Sequence, residues 1–178
     1  MTEDSFPPEF RPIVRSEHTL LVVDDNPASR YATTRLLASA GFRTREASTG
    51  AEGLAQADDG ISAMVLDVHL PDIDGFELCA RLRSRPDTAR LPVLHLTAAY
   101  VTDEDKVRGL DAGADAYLTR PVEPAVLVAT VQALVRTRVA EEAMRRSEQK
   151  FRAIYAQAIA GIALLDDAGV VRDANAAM

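Results

Sequence analysis

The sequence predicts an α/β fold, a doubly wound five-stranded parallel sheet with helices on both faces, continued by an extended C-terminal helix. Three observations carry this reading. Short apolar runs alternate with helix-period segments from Thr19 onward. Helix caps and breakers fall between them. The repeated strand–helix order leaves room for crossover connections, which parallel strands need and antiparallel hairpins do not.

Each element has a local reason. Leu20–Val23 is a continuous apolar run of strand length. Asp25-Asn26-Pro27 then supplies a cap and a first-turn proline for a helix over 27–40, which Gly41 closes. Phe42–Ala47 alternates in polarity, which suits an edge strand. Ser48 or Thr49 can cap a helix over 50–59. Ala63–Leu66 is the third strand, and Asp74 caps a helix over 75–84. Val93–Leu96 is the fourth strand, followed by a helix over 103–112 with Thr102 at its cap and Asp105 in its first turn. Ala116–Leu118 is the fifth, and a last helix starts at about residue 123. The first 17 residues hold three prolines and no periodicity, and read as a loose leader.

The last helix continues past the point where the domain should end. Its apolar positions run on through Val135, Val139, Met144, Phe151, Ile154 and Ala158, with acid-before-base pairs Glu141–Arg145, Glu142–Arg146 and Glu148–Arg152. The division expected is a leader over 1–17, a domain over 18–136, a linker helix over 137–158 and the start of a second domain over 159–178. The near-heptad spacing points to pairing with a second copy, a homodimer. Arginine or serine at several seam positions leaves open a single solvated helix joining two domains. Asp167-Ala168-Gly169 is a turn signal between two short strands near 161–166 and 170–173.

Composition narrows the function. A net charge of −7 argues against nucleic-acid binding by the chain as a whole. Residues 136–152 hold six Arg/Lys, but three glutamates interleave them. No apolar run reaches the length of a membrane span, and Glu3 and Asp4 stand where a secretory signal would be basic. The single Cys79 excludes an internal disulfide. A cytoplasmic protein is the expectation.

The chemistry lies at strand ends. Asp24 and Asp25 end the first strand, Asp67 the third and Thr97 the fourth, and Arg120 follows the fifth. In an open parallel sheet these ends form one rim, where ligands bind. Three crowded carboxylates raise one another's pKa unless a cation joins them, and hard oxygen ligands suit Mg2+. A carboxylate beside Mg2+ can act as nucleophile toward a phosphoryl group, with a hydroxyl and a cation stabilising its oxygens. Asp67 takes the first role, Asp24 and Asp25 the metal site, Thr97 and Arg120 the last two. His95, two residues inward from Thr97, reads as packing against the helices.

LLVVDDNPASR, MVLDVHLPDIDGFEL, VLHLTA and GADAYLTRP together resemble the four signature segments of response-regulator receiver domains. The resemblance covers about residues 18–136. It implies a flavodoxin-like sheet in the order 2-1-3-4-5, and an Asp67 phosphorylated by a histidine kinase or phosphotransfer protein. It implies that the backbone carbonyl of His69 joins the metal ligands, and that Thr97 and Tyr117 reorient on phosphorylation. It further implies a phosphoryl-accepting module rather than an enzyme. The family has lysine where this chain has Arg120. Arginine is planar, wider and permanently charged. It can contact a phosphoryl oxygen, or hold Asp67 in an ion pair and leave a pseudo-receiver that serves as a dimerisation scaffold. A Mg2+-dependent phosphohydrolase with an aspartyl nucleophile is disfavoured, since His69 stands where such enzymes carry a second acid. The segment RRSEQKFRAIYAQAIAGIALLDDAGVVRDANAAM resembles the opening of a PAS domain, Asn175 included. Receiver, helix and PAS in that order imply the N-terminal part of a longer chain such as a hybrid histidine kinase.

Overall fold

The computed structural model describes residues 13–98, 113–157, 163–167 and 169–174. The expected helix over 103–112 with its Thr102 cap, residues 1–12 of the leader, Ala158 and Asn175 lie outside the described residues. The chain divides into two compact units, Met1–Arg138 and Val139–Met178.

In the first unit five parallel strands are ordered β2-β1-β3-β4-β5. They are β1 (Thr19–Val23), β2 (Arg43–Ala47), β3 (Ile61–Leu66), β4 (Val93–Thr97) and β5 (Ala116–Thr119). Between and after them run α1 (Pro27–Ser39), α2 (Gly50–Gln56), α3 (Gly75–Arg83) and α4 (Pro124–Gln157). The sheet class and order are those expected, and β2 lies at the edge as its alternating polarity suggested.

Strand side chains alternate between two cores. Leu20 and Val22 join Val65, Leu94, Leu96 and Leu37 on the face that also buries Leu127, Val131 and Val135 of α4. Leu21 and Val23 join Met64, Leu66 and Val93 with Leu78 and Leu82 of α3 on the other. Central strands buried on both sides must be apolar throughout, which is why β1 and β3 read as runs rather than alternations.

The caps are where the chemistry puts them. Asn26 accepts the N–H groups of Ala28 and Ser29. Thr49 accepts that of Glu52, and Glu52 in turn accepts from the Ser48 N–H at 2.7 Å. Asp74 accepts from Phe76. Glycine is required at Gly75, where a Cβ would overlap the backbone of Asp67 and Val68.

Residues 13–17 of the expected leader are bonded to the sheet-containing unit. Arg15–Glu17 forms a 3-10 helix, and Arg15 donates to the Ala40 carbonyl and to Gln132 Oε1 while lying over the Phe42 ring. A guanidinium with an apolar stem can anchor a proline-flanked segment that has no apolar periodicity. Hence residues 13–17 belong to the folded unit.

Helix α4 runs unbroken for 34 residues. Glu142–Arg146 and Glu148–Arg152 form the expected ion pairs. In the second unit β6 (Ala163–Leu165) and β7 (Val171–Ala174) pair antiparallel. Their turn is closed by the Gly169 N–H on the Asp166 carbonyl, with Gly169 at φ +80°. Among the described residues no helix is long and apolar enough to cross a membrane.

Candidate functional site

The rim residues are set by register. β1 and β3 pair Val23 with Leu66, so Asp24 and Asp67, each one residue further, leave the sheet side by side. The Asp67 N–H still donates to the Val23 carbonyl. One carboxylate oxygen from each of Asp24, Asp25 and Asp67 falls within 4.8 Å of the others. Asp24 is 1% exposed, Asp67 half-buried and Asp25 exposed. Three carboxylates so close, one of them buried, suit a divalent cation with oxygen preference and room for waters, as Mg2+ is.

Burial, and next the charge of Asp24, push the Asp67 carboxyl above its usual range. The Val68 N–H (2.7 Å to Oδ1), Arg120 and Thr97 work in the opposite direction. Thr97 ends β4 fully buried; its hydroxyl is close enough to favour the Asp67 charge but makes no bond of full hydrogen-bond geometry. A carboxylate in this setting is under-solvated and nucleophilic, and the cation that relieves its repulsion is also the one that would activate an electrophile.

Arg120 does not pair with Asp67. Its Nη2 donates to Asp24 Oδ2 at 2.8 Å and reaches the Thr33 hydroxyl at 3.5 Å. The Arg120–Pro121 bond is cis. Tyr117 lies on β5 with its ring tilted against that of His95, centroids 5.9 Å apart. His95 faces α3, as its strand position suggested, edge-on to Phe76 at 5.2 Å. His69 follows Asp67 by two residues, its side chain exposed.

Two contributors escaped the sequence reading. Arg30 donates to the Asp24 carbonyl at 2.7 Å and to Glu46, fixing the loop that presents both acids. Thr33 receives Arg120. The signal was present: Asn26, Arg30 and Thr33 are spaced by four and three residues, so the cap and both side chains share the helix face beneath the rim. Asp72 also escaped notice. Its two oxygens accept the N–H groups of Gly50 and Ala51 at 2.8 Å each, tying the loop after Asp67 to the first turn of α2.

The family model of the response regulator receiver domain matches residues 20–132. The transcriptional regulatory protein GltR of Pseudomonas aeruginosa is 42% identical over 120 residues, 66% of this chain and 49% of that protein. The chain thus spans about half the length of the curated relatives it matches. A response regulator receiver domain protein (CheY-like) from Methanospirillum hungatei has a similar structure, with a TM-score of 0.64 at 30% identity, over 70% of this chain and 98% of that one. The receiver domain of a sensor histidine kinase from Pseudomonas aeruginosa, with a magnesium ion coordinated in its active site cleft, gives a TM-score of 0.61 at 28% identity, over 66% and 97%.

Proposed function

Because the chain belongs to the response regulator receiver family, shown by the match across residues 20–132, we propose that it is a phosphorylation-receiver module of a two-component phosphorelay with Asp67 as acceptor. The observation that carries this is the three-carboxylate cluster of Asp24, Asp25 and Asp67 at the carboxyl ends of β1 and β3. The donor is a phosphohistidine on a histidine kinase or phosphotransfer protein. An Asp67 oxygen attacks phosphorus, the P–N bond breaks, and its electron pair returns to the imidazole.

Asp24, Asp25 and Asp67, with the His69 backbone carbonyl, are the residues that would hold Mg2+. Bound there, the ion offsets the carboxylate repulsion and the charge of the phosphoryl oxygens. Thr97 supplies a hydroxyl to one phosphoryl oxygen, and its movement vacates space that Tyr117 can enter. Arg120 is a cation whose charge favours the ionised Asp67. Its pairing with Asp24 rather than Asp67 favours a working acceptor over a pseudo-receiver locked at Asp67. The domain is a phosphoryl acceptor, not an enzyme in its own right.

The exposed Met144, Phe151 and Ile154 on α4 support a homodimer through that helix, which passes the signal to an output. The β6–β7 hairpin after it supports the start of a PAS domain, and a hybrid histidine kinase is a parent chain that this order fits. The acidic balance and the glutamates interleaved along 136–152 support a role without direct nucleic-acid or membrane contact, in the cytoplasm.

Incubation with acetyl phosphate and Mg2+, followed by intact mass, tests the acceptor. One added phosphoryl group that is absent from Asp67→Asn supports it. A folded chain that takes up none refutes it, as does a chain whose adduct survives that substitution.

A further inference from the structure

Asp24 has two carboxylate oxygens, and both are engaged. Oδ1 accepts the Asn26 N–H at 2.9 Å; Oδ2 accepts from Arg120 Nη2 at 2.8 Å. The Asp24 side chain is almost fully buried, whereas that of Arg120 is a quarter exposed. Moving the aspartate away is therefore costly, while the arginine can swing outward. The second contact of the guanidinium, to the Thr33 hydroxyl, is long and weak. Arginine cannot relieve the situation by losing its proton, as a lysine can.

We infer that Arg120 is a resident counter-cation of the acid cluster that competes with the divalent metal for Asp24, so that metal binding and release of Arg120 are one event. The inference rests on the cation-site reading above and adds a positioning role. Metal arrival frees a guanidinium on the residue after β5, whose backbone N–H donates to the Thr97 carbonyl at the same rim, where a phosphoryl oxygen would next offer it a partner. In the absence of metal the same arginine neutralises the most buried acid of the cluster and keeps the rim folded. Metal affinity is correspondingly lowered, and the lowering is a property of residue 120 rather than of the three acids.

The test is a calorimetric Mg2+ titration of the full chain and of Arg120→Gln and Arg120→Lys, each shown to be folded by thermal melting. Side-chain Nε–Hε NMR spectra of the unsubstituted chain accompany it. Arg120→Gln is expected to bind Mg2+ about tenfold more tightly, the scale of one ion pair lost at a partly exposed site. Arg120→Lys, a more compact charge without the planar fork, is expected to fall between. The Arg120 Nε–Hε resonance should move during the titration and saturate together with the Asn26 amide, which also bonds Asp24. Equal or weaker affinity in Arg120→Gln overturns the inference, and so does an Arg120 resonance that stays still while Asn26 moves. If no protein in the series binds Mg2+, the cation-site reading falls with it. If competition is seen but acetyl phosphate leaves Asp67 unmodified, only the acceptor reading falls.

Discussion

His95 is a neutral imidazole enclosed between Phe76 and Tyr117. Burial pushes its pKa down to about 4, and the backbone of Leu66 and the charge of Asp74 offset only part of that. A histidine whose folded pKa is depressed contributes fully above its unfolded value, near 6.5, and that contribution is lost as pH falls toward 4. Asp67, whose pKa is raised, has the opposite slope: its folded carboxylate is the costly form, and it favours the folded state more as pH falls. Comparing the chain with His95→Leu cancels the Asp67 part. The unsubstituted chain should lose on the order of 3 kcal/mol relative to His95→Leu between pH 6.5 and pH 4, read from urea midpoints. Parallel pH curves would show that the ring is solvated or partnered in the fold. At this scale the acids, Thr97 and the inward face of His95 were legible, because strand periodicity alone decides which residues reach the rim and which face they take. The partner of Arg120 was not. A long side chain with several rotamers chooses among neighbours that only the packed fold brings together, and the sequence pointed to Asp67 or a phosphoryl oxygen rather than Asp24.

Among the elements, the end of α3 is tied to two distant segments by Arg83. Arg83 Nε donates to the Gly113 carbonyl at 2.9 Å, Nη1 to Leu91 at 2.7 Å and to Ala89 at 3.2 Å, and Nη2 to Asp115 at 2.8 Å. Asp115 also accepts the Val93 N–H, so one guanidinium joins the C-terminus of α3 to the entries of β4 and β5. Carbonyls at a helix end and before a strand need donors, and a planar fork supplies several at fixed angles. Arg83→Ala should cost about 3 kcal/mol, since it strands part-buried acceptors as well as removing bonds; chemical denaturation measures it. Arg83→Lys should recover less than half, because an ammonium cannot span four acceptors on two segments. A loss under about 1 kcal/mol for Arg83→Ala would mean that water replaces the fork. None of this was visible in sequence, where Arg83 was one basic residue in a last helical turn. Nor was the anchoring of residues 13–17, where Arg15 bonds Ala40 and Gln132, Arg43 bonds the Ser16 carbonyl and Ile13 packs against the core. Periodicity reports faces that bury many groups; it is silent on a lone side chain that gathers carbonyls.

At the scale of the molecule, the long helix changes what its apolar positions do. Leu127, Val131 and Val135 are buried against the sheet, at a spacing of four that suits packing on a curved face. From Ala140 the positions Ala140, Met144, Ser147, Phe151 and Ile154 follow a four–three alternation, the period of a two-helix seam. Met144 is 78% exposed and Ile154 70%, and Phe151 stacks on Tyr155 of its own helix with centroids 5.9 Å apart. Such large apolar side chains along one stripe are costly in water, and a second copy of the same stripe in parallel would cover them at the same register. The small Ala140 and Ser147 that alternate with them bury little, so affinity should be modest and set by Met144, Phe151 and Ile154. Sedimentation of the chain over a wide concentration range should show monomer and dimer in exchange. Met144→Glu with Ile154→Glu should remove the dimer while leaving the melting of the sheet-containing unit unchanged, since both side chains are largely exposed. Two outcomes would refute the seam. One is a chain that is monomeric at every concentration. The other is a dimer indifferent to both charges, which would place self-association on the receiver surface and leave α4 a solvated connector.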